Sequence, residues 1–327
     1  MATLTSALDA EREQAHQARN RAHTVILTTA MTGLLGLCAF AIWSWLGAAI
    51  AVALSIGVMQ LAPRVPPETV VRLYRGQPLD ARHGAQILHI RDELTARARL
   101  PAPPALFVVP SLTLNAFSVG TPERSAIAVT EGLLRKLSLR ELAAVLAHEF
   151  AHVANNDLKT MAFADVMTRV MQAMSWVAIA LAFYHLPGVF TGDAGRTPWL
   201  GIGLLYLAPT LTSLLQLALS RTREFDADLD SVVMTGDPEG LAVALGKIEQ
   251  YEGHVWEDLL PPGTRRIPQP SIFRSHPTTA KRIERLHDIA LAKPMPQLGK
   301  DEEPMVTLIG LGPASMTPRY RVPGVWF

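Results

Sequence analysis

His148 and His152 stand four residues apart with Glu149 directly after the first. Upstream, Ser138 followed by Glu141 is a capping-box signature for a helix start. Leu139, Leu142, Val145, Leu146 and Phe150 then recur at helical spacing. On a helix, residues four apart share a face, so both imidazoles meet where one metal ion can bridge them. Glu149 can lean over the same point. Two helical histidines and an intervening glutamate are the set that binds zinc and supplies a general base for hydrolysis of peptide bonds.

A catalytic zinc needs three protein donors and one open position. The stretch Ser220-Arg221-Thr222-Arg223-Glu224-Phe225-Asp226-Ala227-Asp228 offers the third. Glu224 and Asp228 are four apart on a second helix and also share a face. The longer Glu224 suits the metal. The shorter Asp228 suits the free ring nitrogen of a ligating histidine, as carboxylates behind a metal centre commonly do. Asp226 and His276 are rival ligands, and an ordinary charged helix face would also explain these residues. His276 could instead stabilise an oxyanion, or simply open a helix. Asn155 and Asp157 read as closing the end of the histidine helix.

These residues carry a resemblance. His148-Glu149-Phe150-Ala151-His152 with Asn155 and Asp157, the later block ending Glu224-Phe225-Asp226-Ala227-Asp228, and Ser275-His276-Pro277 before Arg282-Ile283 resemble the HtpX family of membrane zinc endopeptidases, relatives of the CaaX-prenyl proteases. Asn115-Ala116-Phe117 is similar to a further short block of that family. The resemblance runs over about residues 20–290. It implies one Zn2+ held by His148, His152 and Glu224, with Glu149 as general base. It also implies four membrane spans, a cytoplasmic active site and a role in quality control of membrane proteins. Asn115 and His276 enter as substrate or oxyanion contacts. The charged N-terminal arm and the tail after residue 293 depart from the pattern.

The elements that must position these groups read as follows. The 327-residue chain is 49% hydrophobic and only 18% charged, whereas soluble domains run nearer a quarter charged. The net charge of +1 gives no footing for nucleic acid. The single cysteine, Cys38, lies in an apolar run, so no disulfide framework exists within one chain. Residues 1–23 form a polar arm of mixed charge. Thr24 to Ala62 holds no charged residue and is about twice the length one span needs, which predicts a two-span hairpin turning near Trp43-Ser44-Trp45-Leu46-Gly47. Arg12, Arg19 and Arg21 before it and Arg64, Arg72 and Arg75 after it place both ends in the cytoplasm.

Residues 63–165 read as the first half of a catalytic domain. A helix spans Asp80 to Leu100, and short runs at Ala105–Val109, Asn115–Val119 and Ala126–Val129 predict a small antiparallel sheet. A helix from Thr130 to Leu137 then precedes the histidine helix. One of the last two strands is expected as an edge that pairs with an extended substrate. Residues 166–219 carry spans three (Val170 to Leu186) and four (Pro198 to Leu219), joined by a Gly-rich loop at Gly188–Thr197. Residues 220–292 form the second half, with a helix start at Asp237-Pro238-Glu239, a Pro- and Gly-rich loop from Tyr251 to Ser275, and a last helix through Lys281, Ile283 and Leu286. Residues 293–327 are an irregular tail.

The fold expected is thus an integral membrane α-helical protein of four spans with a mainly α, zincin-like α+β catalytic domain. The function expected is zinc endopeptidase action on misfolded or membrane-associated polypeptides, within a bilayer that is a bacterial inner membrane. The sequence sets no oligomeric state. The rivals are a catalytically silent membrane scaffold, against which the intact Glu149 argues, and a prenyl-protein protease, whose many-span chamber four spans would not enclose.

Overall fold

A computed structural model describes the backbone of residues 2–61, 66–191, 199–259 and 279–288. The chain divides into two compact units, Met1–Ala62 with Thr160–Thr222, and Pro63–Lys159 with Arg223–Phe327.

The first unit is built from apolar helices. Helix α1 (Ala2–Leu61) is interrupted at Trp43 (φ −125°, ψ 16°) and Ser44 (φ 63°, ψ −155°). The chain doubles back there, within the turn that the paired tryptophans mark in the sequence. A side-chain carbon added at Gly36 would lie 3.5 Å from Val52 Cγ2, which a continuous helix would carry far away. The Phe40 and Trp45 rings meet edge-on, centroids 5.0 Å apart. The N-terminal arm is part of α1. Within this unit Ser55 of α1 reaches Met167 Sδ on α6 (Asp157–Thr191), and Thr168 of α6 bonds Gln216 on α7 (Trp199–Thr235) at 2.6 Å. Thr28, Ser55, Thr168 and Thr212 also return their hydroxyls to the carbonyl four residues back, at 2.6–2.9 Å. In apolar surroundings a hydroxyl finds an acceptor on its own helix. Trp45, Phe190 and Leu200 stand at 78%, 83% and 93% exposure, a surface suited to lipid rather than water. Among the described residues three helices are long and apolar enough to cross a membrane, at Ala22–Val58, Asp157–Thr191 and Trp199–Thr235.

Helix α6 continues through Pro187 to Thr191, so the loop expected from Gly188 begins later. The proline removes one helical donor, which long apolar helices tolerate.

The second unit is organised by a four-stranded sheet in the order β1-β2-β4-β3, comprising β1 (Gln77–Pro78), β2 (Ala105–Val109), β3 (Ala116–Thr121) and β4 (Arg124–Thr130). The sheet is mixed, which corrects the antiparallel expectation. The tight turn after Thr121 makes β3 and β4 antiparallel, but β4 returns between β3 and β2 and runs parallel to β2. Gly120, at φ +110°, enters this hairpin turn where a side chain would collide with the Arg124 carbonyl. Of the two proposed edge strands, β3 is the edge and β4 is interior.

Both faces of the sheet are covered. Phe107, Phe117 and Val119 pack with Val71 and Tyr74, the first on α2 (Pro67–Leu73). Leu106, Ile127 and Val129 pack on the other face with Ile87 and Leu94 of α3 (Ala81–Arg97) and with Leu142, Leu146 and Phe150 of α5 (Leu139–Ala154). A wholly buried side chain such as Phe150 or Leu146 contributes about 1.5–3 kcal/mol.

The short α4 (Glu131–Lys136) is capped by the Thr130 hydroxyl, and α5 starts on the complete Ser138–Glu141 capping box. Asp237 caps α8 (Pro238–Leu259) through Gly240 N at 3.0 Å and pairs with Arg140 of α5 at 2.8 Å. Helix α8 runs to Leu259, so the loop expected from Tyr251 starts later than its composition suggests. Helix α9 (Thr279–His287) closes the described chain. The rest of that loop, His276 and the tail from 293 lie outside the described residues.

Candidate metal centre

Helix α5 presents the two imidazoles on one face. His148 Nε2 and His152 Nε2 are 3.2 Å apart, and the rings meet edge-on. Glu224 on α7 brings Oε2 to 3.6 Å from His148 Nε2 and Oε1 to 3.9 Å from His152 Nε2. The donor atoms of these three residues all lie within 4.8 Å of one another. A tetrahedral zinc with ligands at about 2.0–2.1 Å sets its donors roughly 3.3 Å apart, so two nitrogens and one carboxylate oxygen fit such an ion. Asp226 is buried but lies outside this cluster.

The far side of each ring is held by a carboxylate. His152 Nδ1 is 2.9 Å from Asp157 Oδ2. His148 Nδ1 is 3.1 Å from Asp228 Oδ1, an ion-pair contact rather than a well-aligned hydrogen bond. With a proton on each Nδ1, both Nε2 lone pairs turn toward the common point. Asp228 thus stands behind a histidine, where the sequence puts it. Asp157 does more than end the helix, which corrects the expectation for that residue. Asn155 is the C-cap of α5, donating its backbone N–H to Ala151 O at 2.9 Å, and Asn156 takes the left-handed turn at φ 56°. That reversal swings Asp157 back against His152.

Two guanidiniums brace the carboxylates. Arg223 Nη1 donates to Asp157 Oδ1 at 2.6 Å. Arg282 on α9 clamps Asp228 with Nε and Nη2 at 2.8 and 2.6 Å and reaches Glu224 Oε2 with Nη1 at 2.9 Å. Glu149 is buried, and its Oε2 accepts a hydrogen bond from Ser118 of β3 at 2.8 Å. Glu149, Glu224, Asp157 and Asp228 against Arg223 and Arg282 leave these groups a formal charge of −2, the complement of a divalent cation.

The electrostatics agree with that balance. Burial pushes the His148 imidazole down, but the Asp228 and Glu224 carboxylates beside its ring nitrogens outweigh it and lift its pKa to about 10. Burial likewise opposes the charge on His152, and Asp157 reverses the effect. Arg282 is raised in the same way, its desolvation overcome by Asp228 and Glu224. A divalent cation held by His148, His152 and Glu224 would take the place of the proton that the carboxylates otherwise attract.

Asn115 sits at the start of β3, outside the cluster. Its backbone carbonyl accepts from Thr130 N and its N–H donates to Thr130 Oγ1, both at 3.0 Å. Sequence reasoning missed Ser118, Arg223 and Arg282 as parts of the site. In the sequence Arg282 stands out only beside Ile283 after Ser275-His276-Pro277, and nothing in the spacing of Ser118 ties it to α5.

Paired helical histidines beside a carboxylate that could complete a metal site, in a chain with long apolar helices, point to the class of membrane-associated metalloproteases. Residues 81–290 match the family described as peptidase family M48, and the chain belongs to that family. It is 33% identical over 285 residues to the protein named Protease HtpX homolog in Burkholderia mallei (strain SAVP1), covering 83% of this chain and 97% of the relative. The Protease HtpX homolog of Burkholderia pseudomallei (strain K96243) matches with the same identity and coverage. Among solved structures, S. mikatae Ste24p aligns with a TM-score of 0.44 at 18% identity, over 85% of this chain and 67% of that one. The chain is a membrane-associated metalloprotease.

Proposed function

We propose that the protein is a zinc endopeptidase of a bacterial inner membrane, with its site on the cytoplasmic side, acting on misfolded or membrane-associated polypeptides. His148, His152 and Glu224 hold the metal in this reading. The observation that carries it is the convergence of their donor atoms within 4.8 Å beside the buried Glu149.

When bound, zinc supplies Lewis acidity toward a scissile carbonyl and acidifies water. Glu149 takes the proton of the attacking water and returns it to the leaving amine. Asp228 and Asp157 keep both imidazoles in the metal-facing tautomer. Arg282 fixes the carboxylates of Glu224 and Asp228. The edge that β3 forms among the described strands supports an extended substrate through backbone hydrogen bonds, which gives affinity with little sequence selectivity and suits unfolded clients. Asn115 at the start of that strand and His276 are assigned to substrate or oxyanion contacts.

Four spans are part of the proposal. The reversal at Trp43–Ser44 and the approach of Gly36 to Val52 support two crossings within α1, and α6 and α7 supply one each. Arginines on both flanks of the hairpin favour a cytoplasmic site. Reporters fused after residues 190 and 230 are expected on opposite sides of the membrane; the same side for both would remove the α6–α7 excursion.

The deciding experiment is cleavage of an unfolded protein by the detergent-purified full chain, chelated and then resupplied with zinc. Wild type is expected to recover with zinc. Glu149→Gln is expected to retain the metal and lose at least about a hundredfold in turnover. Equal activity in both would refute the role of Glu149.

A further inference from the structure

Ser118 is a polar residue between Phe117 and Val119 in the middle of β3, 4% exposed. Its neighbours Phe117 and Val119 turn to the face shared with Val71 and Tyr74, while Ala116 packs on the α5 side. Strand alternation therefore puts Ser118 on the face that meets α5. A buried hydroxyl requires a partner, and this one donates to Glu149 Oε2 at 2.8 Å, the usual length for such a bond. An ionised carboxylate has two oxygens and accepts only. One oxygen of Glu149 is thus engaged from the sheet, and among the described residues the other carries no hydrogen bond that would compete with the reacting water.

The position of Ser118 matters as much as the bond. It lies on β3, the edge strand. A glutamate side chain has several rotatable bonds, so a base borne on α5 alone must be oriented by something else. The catalytic return on such orientation is large, because misplacement of a base by a fraction of its hydrogen-bond length removes reactive geometries. A peptide laid along β3 steadies the backbone that carries the Ser118 hydroxyl. We propose that Ser118 is a positioning residue that holds Glu149 in its reactive orientation and links substrate pairing on β3 to the alignment of the base. This rests on the reading of Glu149 as the general base.

The test is steady-state kinetics of the zinc-loaded full-length protein in detergent on a quenched-fluorescence unstructured peptide, with zinc content measured in parallel. Ser118→Ala is expected to lower kcat about tenfold, a loss of about 1.4 kcal/mol in transition-state stabilisation. KM is expected to stay within about twofold and the zinc content to stay at the wild-type level. Ser118→Thr, which keeps the hydroxyl, is expected to recover most of the loss. An unchanged kcat in Ser118→Ala overturns the proposal. So does a loss carried by KM alone, which would make Ser118 a strand-pairing residue, a loss of zinc, or an equal defect in Ser118→Thr. Glu149→Gln in the same assay separates the two ideas. If that variant turns over normally, the reading of the base has failed; if it is silent while Ser118→Ala is fully active, only the role of Ser118 has failed.

Discussion

His152 is held from nearby and His148 from far along the chain. The carboxylate behind His152 is Asp157, five residues on, delivered by the turn at Asn156 and braced by Arg223. The carboxylate behind His148 is Asp228 on α7, braced by Arg282 on the nine-residue α9. The chemical unit is the same on both sides: imidazole, carboxylate, guanidinium. Its support differs. Asp157, Arg223 and their neighbours belong to long helices, whereas the His148 side depends on a short helix whose guanidinium also serves Glu224. One side of the centre is fixed by local chain geometry and the other by docking of a distant element.

Glu224 touches both sides, so its loss is expected to have the largest effect. Glu224→Ala removes a donor and leaves Arg282 short of one partner; zinc per chain and peptidase activity are expected to fall together, the latter by more than about a thousandfold. Retained zinc with membrane insertion intact would dissolve the comparison at its centre. A smaller effect separates the two sides. Arg282→Gln disturbs Glu224 and Asp228 at once and is expected to weaken zinc binding roughly a hundredfold, against about tenfold for Asp157→Asn, which among the three donor residues touches only His152. Competition with a chromogenic chelator measures both, and equal losses would erase the distinction.

The smallest effect belongs to a pair outside the centre. Burial raises the Asp237 carboxyl, but Arg140 and the Gly240 N–H outweigh it and hold it below the ordinary range. The folded chain therefore binds that proton less readily than the unfolded one. The stabilisation is present at neutral pH and is lost as pH falls through the depressed value. Asp237→Ala is expected to lower stability by about 1–2 kcal/mol near pH 7 and to leave zinc affinity unchanged. Thermal unfolding at neutral and acid pH checks it: the gap to wild type is expected to shrink as the pH falls.

What was legible in the sequence was mostly local. The capping box at Ser138 and Glu141, the starts at Thr130 and Asp237, and the turn at Trp43–Ser44 are written in nearby residues, so local sequence alone marks the elements that carry the site. Helical spacing also grouped His148 with His152, and Glu224 with Asp228. The direction of β2 against β4 left no trace, because a short run buried on both faces reads alike in either orientation. The two-residue β1 is too short for any period to register. Ser118 and Arg282 meet the site only through tertiary packing, which spacing does not encode. Asp157 reads from sequence as a helix end, because the turn that returns it to His152 needs the left-handed Asn156.

The order of the donors along the chain has its own consequence. A ribosome that has finished α5 has released both imidazoles and the base, but Glu224 and Arg282 follow only after α6 and most of α7. On the proposed reading, a growing chain cannot complete the metal's ligand set until the greater part of the protein has been made. Zymogens achieve latency with a removable segment; on the same reading, the order of synthesis alone leaves the unfinished chain short of a full ligand set.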